Sequence, residues 1–310
     1  MKAAYRFPRG EYAGKGQTIA VVVAFHDAAA EQSLFRFSVE FDLPLCTVRN
    51  GCFNQVDQNG GTNYPGSSDP GWASEADLDI EWAHAIAPGA RIVLVEADDA
   101  SAHNLLSHAE DTASRLARYV SNSWVVPEFS TENTFDHHFT DFPGVSYFYS
   151  SGDTTIPYYP SVSPYVVSVG GTVLVAKAGG KYDHETAWPD AGGGCSQYEQ
   201  ASTAQAAYAG YAQVGCNGYR ATPDLSLVAT GLDVYTVQDG QAGWGIFHGT
   251  SLSTPMVAAR AADTGAVVDQ AYLYGNAIAF RDVTQGASAG PCLVGYDLCS
   301  GRGTWYGPTP

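Results

Sequence analysis

The pattern of apolar and polar positions predicts strands and helices that alternate along the first half of the chain. Short runs in which nearly every residue is apolar are typical of strands buried on both faces. Such runs occur at 17–25, 91–97, 119–124, 145–150 and 165–169. Helix-compatible segments lie at 28–41, 75–87 and 102–117. Strands of this kind, separated by helices, predict an α/β fold with a mostly parallel central sheet and helices on both faces.

The second half is less regular, and segment 192–216 predicts a long surface excursion. The sequence shows no internal repeat and no linker rich in Pro, Gly or Ser. A chain of 310 residues can form one large domain with a substantial core. We therefore expect residues 1–310 to form a single domain.

The predicted helix 75–87 carries carboxylates on an unexpected face. At about 100° per residue, its apolar face holds Leu78, Trp82 and Ile86, and its polar face holds Asp77, Glu81 and His84. Glu75 and Asp79 lie one turn apart within the apolar arc, where carboxylates are unusual. Burial and mutual repulsion would raise the pKa of at least one of them, as acid–base chemistry requires. The alternative is a pair of buried hydrogen-bonded carboxylates without a chemical role.

A second signal is the segment GTSLSTP at 249–255, which precedes a helix-forming stretch from Met256. Pro255 is tolerated in a first helical turn. This places Ser251 at or just before a helix N-terminus, where free N–H groups favour developing negative charge. A nucleophilic serine needs a base, but no histidine of the chain lies in an HGTH motif. The pair His137-His138 predicts a solvated helix face.

Several segments together resemble the sedolisin family of serine-carboxyl peptidases. They are GTSLSTP, the helical EADLDIEWAHAIAPGARI, SSGD at 150–153, IAVVVAFHDAAAEQSLFRF, YVVSVGGT, TPDLS, and DVTQG with GYDLCSGRG. These segments run in the family's order over nearly the whole chain. The resemblance implies a subtilisin-like fold in which a glutamate replaces the histidine base.

The resemblance also implies catalytic roles. Ser251 would be the nucleophile, Glu75 the general base, and Asp79 the residue that shares a proton with Glu75. Asp153 would be protonated and would donate to the oxyanion beside the Ser251 N–H. Because imidazole is protonated in acid and a carboxyl pair can still accept a proton there, we expect an acid-active peptidase. It would form a Ser acyl-enzyme, and we favour endopeptidase over tripeptidyl-peptidase action.

The family's substrate cleft and metal site also map onto this sequence. Peptide binding is expected along two extended segments, Ser123-Trp124 and Ser151-Gly152, although Trp124 could instead serve only core packing. One structural Ca²⁺ is expected near the C-terminus, bound by carboxylates and backbone carbonyls as a hard cation prefers. Its ligands would be Asp282, Val283, Leu293, Gly295 and Asp297. The alternative for these aspartates is loop capping.

Charge and cysteine content narrow the partners and the compartment. The chain has 32 acidic and 15 basic residues and a net charge of −17, which disfavours nucleic-acid binding. No apolar run is long enough for a membrane span. Six cysteines fall in three close pairs, which favours local disulfides and a secreted protein, or another acidic, oxidising compartment. The resemblance further implies peptide or protein substrates and a mature form whose precursor carries an inhibitory N-terminal prodomain. We also expect a monomer.

Three other interpretations have specific weaknesses. Segment 286–290 matches the GxSxG pattern of α/β-hydrolase esterases, but no helix-forming stretch follows it. A subtilisin-like triad built on Asp27 lacks the histidine motif. A catalytically inactive, peptide-binding homologue is disfavoured because all four catalytic positions hold the expected residue types.

Overall fold

A sheet of ten strands lies at the centre of the computed structural model, which describes residues 1–238, 240–275 and 279–307. The strands of this and three smaller sheets are β1 (Thr18–Ala24), β2 (Phe53–Asp57), β3 (Arg91–Ala97), β4 (Tyr119–Asn122), β5 (Val126–Pro127), β6 (Ser146–Ser150), β7 (Tyr158–Tyr159), β8 (Val167–Lys177), β9 (Lys181–Ala187), β10 (Gly194–Gln200), β11 (Tyr219–Thr222), β12 (Leu225–Val228), β13 (Thr230–Gln238), β14 (Gln241–His248), β15 (Phe280–Arg281) and β16 (Thr304–Trp305). The helices are α1 (Lys2–Tyr5), α2 (Ala30–Glu40), α3 (Pro70–Ile86), α4 (Ala102–Asn104), α5 (Asp111–Leu116), α6 (His137–Thr140), α7 (Thr203–Ala207), α8 (Thr250–Thr264) and α9 (Gln270–Gly275).

The strand order of the central sheet is β15-β16-β12-β8-β6-β4-β1-β3-β2, and β9 pairs with β8. Neighbours from β2 to β16 are parallel, whereas the β8–β9 and β15–β16 pairs are antiparallel. This architecture confirms the predicted α/β fold with a mostly parallel sheet. The strand predicted at 165–169 begins two residues later and continues to Lys177, because it extends into the hairpin with β9.

Strand β1 illustrates why the sheet is covered on both faces. Ile19, Val21 and Val23 belong to one apolar cluster, which also contains side chains of α2, α3 and α8. The intervening Ala20, Val22 and Ala24 belong to a second cluster, with side chains of α5 and the segment before it. Since successive strand residues point to opposite faces, a continuous apolar run is what burial on both faces requires.

Two helices begin earlier than predicted because local signals start them. Helix α3 begins at Pro70, where the Asp69 carboxylate accepts a hydrogen bond from Trp72 N at 3.0 Å. Helix α8 begins at Thr250, so Ser251 lies in its first turn and Pro255 lies inside the helix. The predicted helix 102–117 is formed by α4, a π-helical stretch from Leu105 to Glu110, and α5.

The predicted surface excursion at 192–216 contains regular structure. It includes β10, which pairs with β11, as well as α7 and a short 3₁₀ turn. Three disulfides join the cysteines that are close in sequence, as predicted: Cys46–Cys52, Cys195–Cys216 and Cys292–Cys299. Among the described residues, no helix combines the length and apolar character that a membrane crossing needs.

The prediction that Asp77, Glu81 and His84 form a polar face of α3 opposite the buried one is wrong, because all three are fully buried. Strand β13, which pairs with β14 in a ribbon, covers the first two: Tyr235 N donates to Glu81 at 3.1 Å and Val237 N donates to Asp77 at 3.4 Å. His84 bonds to the Pro44 carbonyl at 2.7 Å, and burial lowers its pKa to about 4. Helical periodicity could not reveal this cover, since the ribbon lies more than 140 residues further along the chain.

The solvated face predicted at His137-His138 is correct for only one of the two histidines. His137 is exposed, whereas His138 is buried and bonds to the Asp111 carboxylate at 2.9 Å. Its other ring nitrogen lies 3.3 Å from the Ser107 hydroxyl. The packing of α6 against the π-helical stretch and α5 accounts for this burial.

Candidate active site

Two neighbouring parallel strands deliver part of the site at their carboxyl ends. Strand β4 ends at Asn122, immediately before Ser123, and β6 ends at Ser150, three residues before Asp153. Ligands of open α/β sheets bind at this edge. Helices α3 and α8 pack against each other and bring Glu75, Asp79 and Ser251 to the same place.

The carboxyl groups of Glu75 and Asp79 lie next to hydroxyl groups. Ser123 Oγ donates to Asp79 Oδ1 at 2.7 Å. Glu75 Oε1 and Asp79 Oδ2 are buried without a hydrogen-bond partner. Two adjacent carboxyls, each with an unsatisfied buried oxygen, favour a shared proton over two full charges.

Burial raises the pKa values of both carboxyls in this pair. Burial raises the pKa of Glu75 to about 7, against an opposing interaction with the Ser251 hydroxyl, and the charge of Asp153 adds to the rise. Burial, followed by the charge of Glu75, raises the pKa of Asp79 well above its ordinary value, and Ser123 acts in the opposite direction. A proton is therefore retained by the pair far above the pH at which a solvated carboxyl loses it.

Pro255 shapes the surroundings of Ser251. In a regular helix, the N–H of residue 255 would donate to the carbonyl of residue 251, but proline has no N–H. The Ser251 carbonyl is approached instead by Ser123 Oγ at 3.4 Å. As a residue of the first turn, Ser251 also offers an N–H that has no acceptor within the helix. Its position therefore suits a nucleophile with an oxyanion donor beside it.

Asp153 contacts the residue that precedes Ser251. Its Oδ1 accepts hydrogen bonds from both Thr250 N and Thr250 Oγ1, each at 2.8 Å. The surrounding protein desolvates the carboxyl and raises the pKa of Asp153, while Thr250 opposes the rise. Gly249 adopts a φ of 149°, and a Cβ at this position would lie 3.0 Å from Asp153 Oδ2. Glycine therefore leaves that second oxygen room to face an incoming group.

A cavity of about 370 Å³ lies beside these residues and is lined by Asp69, Gly71, Trp72, Glu75, Ser123, Trp124 and Val125. Trp124 is only 6% exposed and packs edge-on against Tyr149, yet its Nε1 has no hydrogen-bond partner. It therefore both packs in the core and lines the cavity. Ser151 and Gly152 are buried and do not line this cavity.

Sequence reasoning did not identify two residues of this site. Thr250, which holds Asp153, is part of the GTS segment, and its place beside Ser251 was the available signal. Trp72 lies in the first turn of α3, three residues before residue 75, where the sequence predicted the helix to start, so the helical pattern did not include it.

The C-terminal loop brings the two predicted metal-binding aspartates to the same backbone segment. Asp282 Oδ2 accepts a hydrogen bond from Gly295 N at 2.8 Å, and Asp297 Oδ2 accepts one from Leu293 N at 2.7 Å. Asp297 is almost fully buried, and burial raises its pKa. Two carboxylates held at one loop, together with backbone carbonyls of the same loop, would give the oxygen-only donor set that a hard cation prefers. The same N–H contacts are those of loop-capping aspartates, so both alternatives remain.

Neither segment 286–290 nor Asp27 has the surroundings that the esterase and subtilisin-like interpretations require. Segment 286–290 is a loop that neither follows a strand nor begins a helix, so it lacks the context of a nucleophile elbow. Asp27 Oδ1 accepts a hydrogen bond from Ala29 N, and burial, followed by the charge of Asp27, raises the pKa of Asp77. Asp27 therefore lies near the face of α3 that carries Asp77. Glu75 and Asp79 lie on the opposite face of the same helix.

The chain is similar in sequence to several known proteins. No protein-family model matches the chain. The chain is 31% identical to kumamolisin of Bacillus sp. (strain MN-32) over 350 aligned residues, which cover 98% of this chain and 61% of kumamolisin. It is 26% identical over 187 residues to tripeptidyl-peptidase sed1 of Aspergillus fumigatus, covering 49% of this chain and 28% of that protein. The chain therefore spans about three-fifths of the length of kumamolisin.

A solved structure of Pseudomonas sedolisin, described as a serine-carboxyl proteinase complexed with pseudo-iodotyrostatin, has the same fold. The TM-score is 0.82 at 23% sequence identity, and the match covers 98% of this chain and 93% of that one. The two folds therefore agree over nearly the whole chain and not only in the central sheet.

Proposed function

This chain belongs to the sedolisin family, and from that premise we propose that it is an acid-active serine-carboxyl peptidase. The observation that carries the proposal is the pair of half-buried Glu75 and fully buried Asp79 beside the hydroxyls of Ser123 and Ser251. The proposed substrates are peptides or proteins, bound in the cavity beside Glu75 and Trp124.

In the proposed reaction, Glu75 accepts the proton of the Ser251 hydroxyl as its oxygen attacks the scissile carbonyl. A C–O bond forms, and the carbonyl oxygen becomes an oxyanion. The Ser251 N–H and protonated Asp153 donate to this oxyanion. The tetrahedral intermediate then expels the amine, which takes the proton from Glu75, and water hydrolyses the acyl-enzyme by the reverse sequence of proton transfers.

Asp79 serves as a positioning residue in this scheme. It holds one proton jointly with Glu75, so Glu75 can accept and return a proton while the pair carries no more than one negative charge. Ser123 fixes Asp79 through the hydrogen bond at 2.7 Å. The roles of Ser151 and Gly152 in peptide binding stay predictions, as does endopeptidase action, because the relatives include a tripeptidyl-peptidase.

Acid activity follows from the protonation states that this scheme requires. Asp153 must carry a proton to donate to the oxyanion, and burial raises its pKa in that direction. Activity should therefore fall as the pH rises and Asp153 ionises. A serine peptidase with a histidine base shows the opposite dependence, since imidazole must lose its proton to act.

We further propose one structural Ca²⁺ at the C-terminal loop. Asp282 and Asp297 would bind through carboxylates, and Val283, Leu293 and Gly295 through backbone carbonyls. The ion would supply positive charge that holds this loop together, and it takes no part in the reaction. Three disulfides support a secreted protein or one of another acidic, oxidising compartment. The inhibitory prodomain and the monomeric state stay predictions.

Two substitutions with one matched control test the peptidase proposal. Glu75→Gln and Ser251→Ala should each lower kcat/KM for an unfolded protein in acid by at least about 100-fold, the lower bound for loss of general acid–base catalysis. Glu81→Gln changes another buried carboxyl of α3, which contacts Tyr235 N instead of the site, and should stay near the parent rate. Parent-like cleavage by either catalytic variant would contradict the assignment.

A further inference from the structure

Two histidines at the surface direct their ring nitrogens at each other. His103 Nε2 and His108 Nε2 lie 3.2 Å apart, with the two rings nearly perpendicular and their centroids 4.8 Å apart. His103 is exposed and His108 is half-buried. The pair has no part in the proposed reaction, and the sequence pattern predicts no role for it.

The backbone explains why residues five apart meet. In an α-helix, a spacing of five residues separates side chains by about 140° around the axis. The chain passes here from α4 into the π-helical stretch Leu105–Glu110, where hydrogen bonds link residues five apart and bring such positions nearly into line. π-Helical stretches are rare, and they are frequently found at functional sites.

The distance between the two nitrogens suits a shared metal ion. Two imidazole nitrogens bound to one Zn²⁺ at 2.0–2.1 Å with near-tetrahedral angles lie about 3.3 Å apart. Imidazole nitrogen suits Zn²⁺, Ni²⁺ and Cu²⁺, whereas Ca²⁺ and Mg²⁺ prefer oxygen. The 3.2 Å separation therefore needs little rearrangement to accept a divalent transition metal.

The carboxylate of Asp99 interacts electrostatically with one of the two histidines. The pKa of Asp99 is lowered by the Ser101 hydroxyl and N–H, by Asn104, and in part by the charge of His103. Asp99 Oδ1 accepts the Ser101 N–H at 2.9 Å. Asp99 therefore places negative charge near His103, where it would offset part of the charge of a bound ion.

We propose that His103 and His108 form a surface binding site for a divalent transition metal, with both Nε2 atoms as ligands and water in the remaining positions. A bound ion would link α4 to the π-helical stretch and stabilise both. The proposal is independent of peptidase activity, since neither histidine contacts the residues assigned to catalysis in the hydrogen bonds described. A direct hydrogen bond between the two rings is the competing explanation of the same distance.

Calorimetric titration of ZnCl₂ into the whole protein tests the site, at neutral pH with excess Ca²⁺ to occupy the oxygen ligands. The parent should bind Zn²⁺, and His103→Ala and His108→Ala should each weaken that binding by at least about tenfold, the lower end of what loss of a ligand-orienting partner costs. His184→Ala is the matched control, because His184 is exposed and also lies beside a carboxylate, that of Asp183, at 3.4 Å. It should retain the parent affinity.

A second measurement reports the coordination directly. Co²⁺ in place of Zn²⁺ should give visible absorption bands with the parent and the control, and lose them with either variant of the pair. Circular dichroism confirms that each variant is folded. Absence of Zn²⁺ binding by the parent, or affinity unchanged in His103→Ala and His108→Ala, overturns the proposal and leaves a hydrogen-bonded pair.

Discussion

Ser123 donates a hydrogen bond to Asp79 at 2.7 Å, while the same hydroxyl lies 3.4 Å from the Ser251 carbonyl. One side chain at the end of β4 thus connects the carboxyl of α3 with the first turn of α8. Its donor lowers the pKa of Asp79 against burial and the charge of Glu75. Ser123 therefore helps to set the pH at which the carboxyl pair can accept a proton.

Replacing Ser123 by Ala should move the acid limb of the kcat/KM profile to higher pH. Without the donor, the pKa values of Asp79 and Glu75 rise further, so the pair stays fully protonated, and inactive as a base, to a higher pH. Loss of a hydrogen bond to a charged group, about 1.5–3 kcal/mol, corresponds to roughly a 10- to 100-fold fall in kcat/KM. Ser123→Thr keeps the hydroxyl and should retain the parent profile. A Ser123→Ala profile that is lower but not displaced would contradict this role.

Asp153 should control the alkaline limb of the same profile. Asp153→Asn keeps an oxygen to accept from Thr250 and supplies N–H donors that do not depend on pH. Its alkaline limb should therefore extend to higher pH than that of the parent. Asp153→Ala removes the oxyanion donor and should lower kcat by about 100- to 1000-fold. Identical alkaline limbs for the parent and Asp153→Asn would show that ionisation of Asp153 does not limit activity.

Three of the four residues proposed for catalysis carry local signals in the sequence, whereas Asp153 is proposed only from the family resemblance. Glu75 and Asp79 stand out by their place in one helical period, and Ser251 by the short segment around it. The burial of Asp77 and Glu81 could not be predicted, since it depends on a ribbon from a distant part of the chain. His84 is buried beside Pro44, which also lies outside the helix. The contact of His103 with His108 depends on the π-helical stretch, and apolar periodicity does not distinguish that stretch from an α-helix.

Removal of Ca²⁺ should lower the thermal stability of the protein. A ligand that binds only the folded state stabilises it by about 2.7 kcal/mol at a concentration one hundred times its Kd. A chelator should therefore lower the Tm of the parent, and Asp297→Asn should abolish the difference between Ca²⁺ and chelator. Asp42→Asn, at an exposed aspartate outside the loop, should behave as the parent does. A parent Tm that does not respond to the chelator would contradict the calcium site.

Buried carboxyls should also make the folded state less stable as the pH rises. Burial raises the pKa of Glu110 from 4.5 to about 8, and Glu110 Oε2 has no hydrogen-bond partner. Between these two values the folded chain retains a proton that the unfolded chain has lost. Each pH unit in this range therefore lowers the free energy of unfolding by about 1.4 kcal/mol for each such proton.

Glu110→Gln should remove this dependence because an amide does not titrate. It also preserves an oxygen that can accept from Asn122 Nδ2, at 3.3 Å in the parent. Urea denaturation at a series of pH values between 5 and 8 should then give a plot of unfolding free energy against pH that is shallower by about one proton. Glu40→Gln, at an exposed position of α2, should leave the slope of the parent unchanged. Equal slopes for the parent and Glu110→Gln would mean that Glu110 is ionised in the folded protein at these pH values.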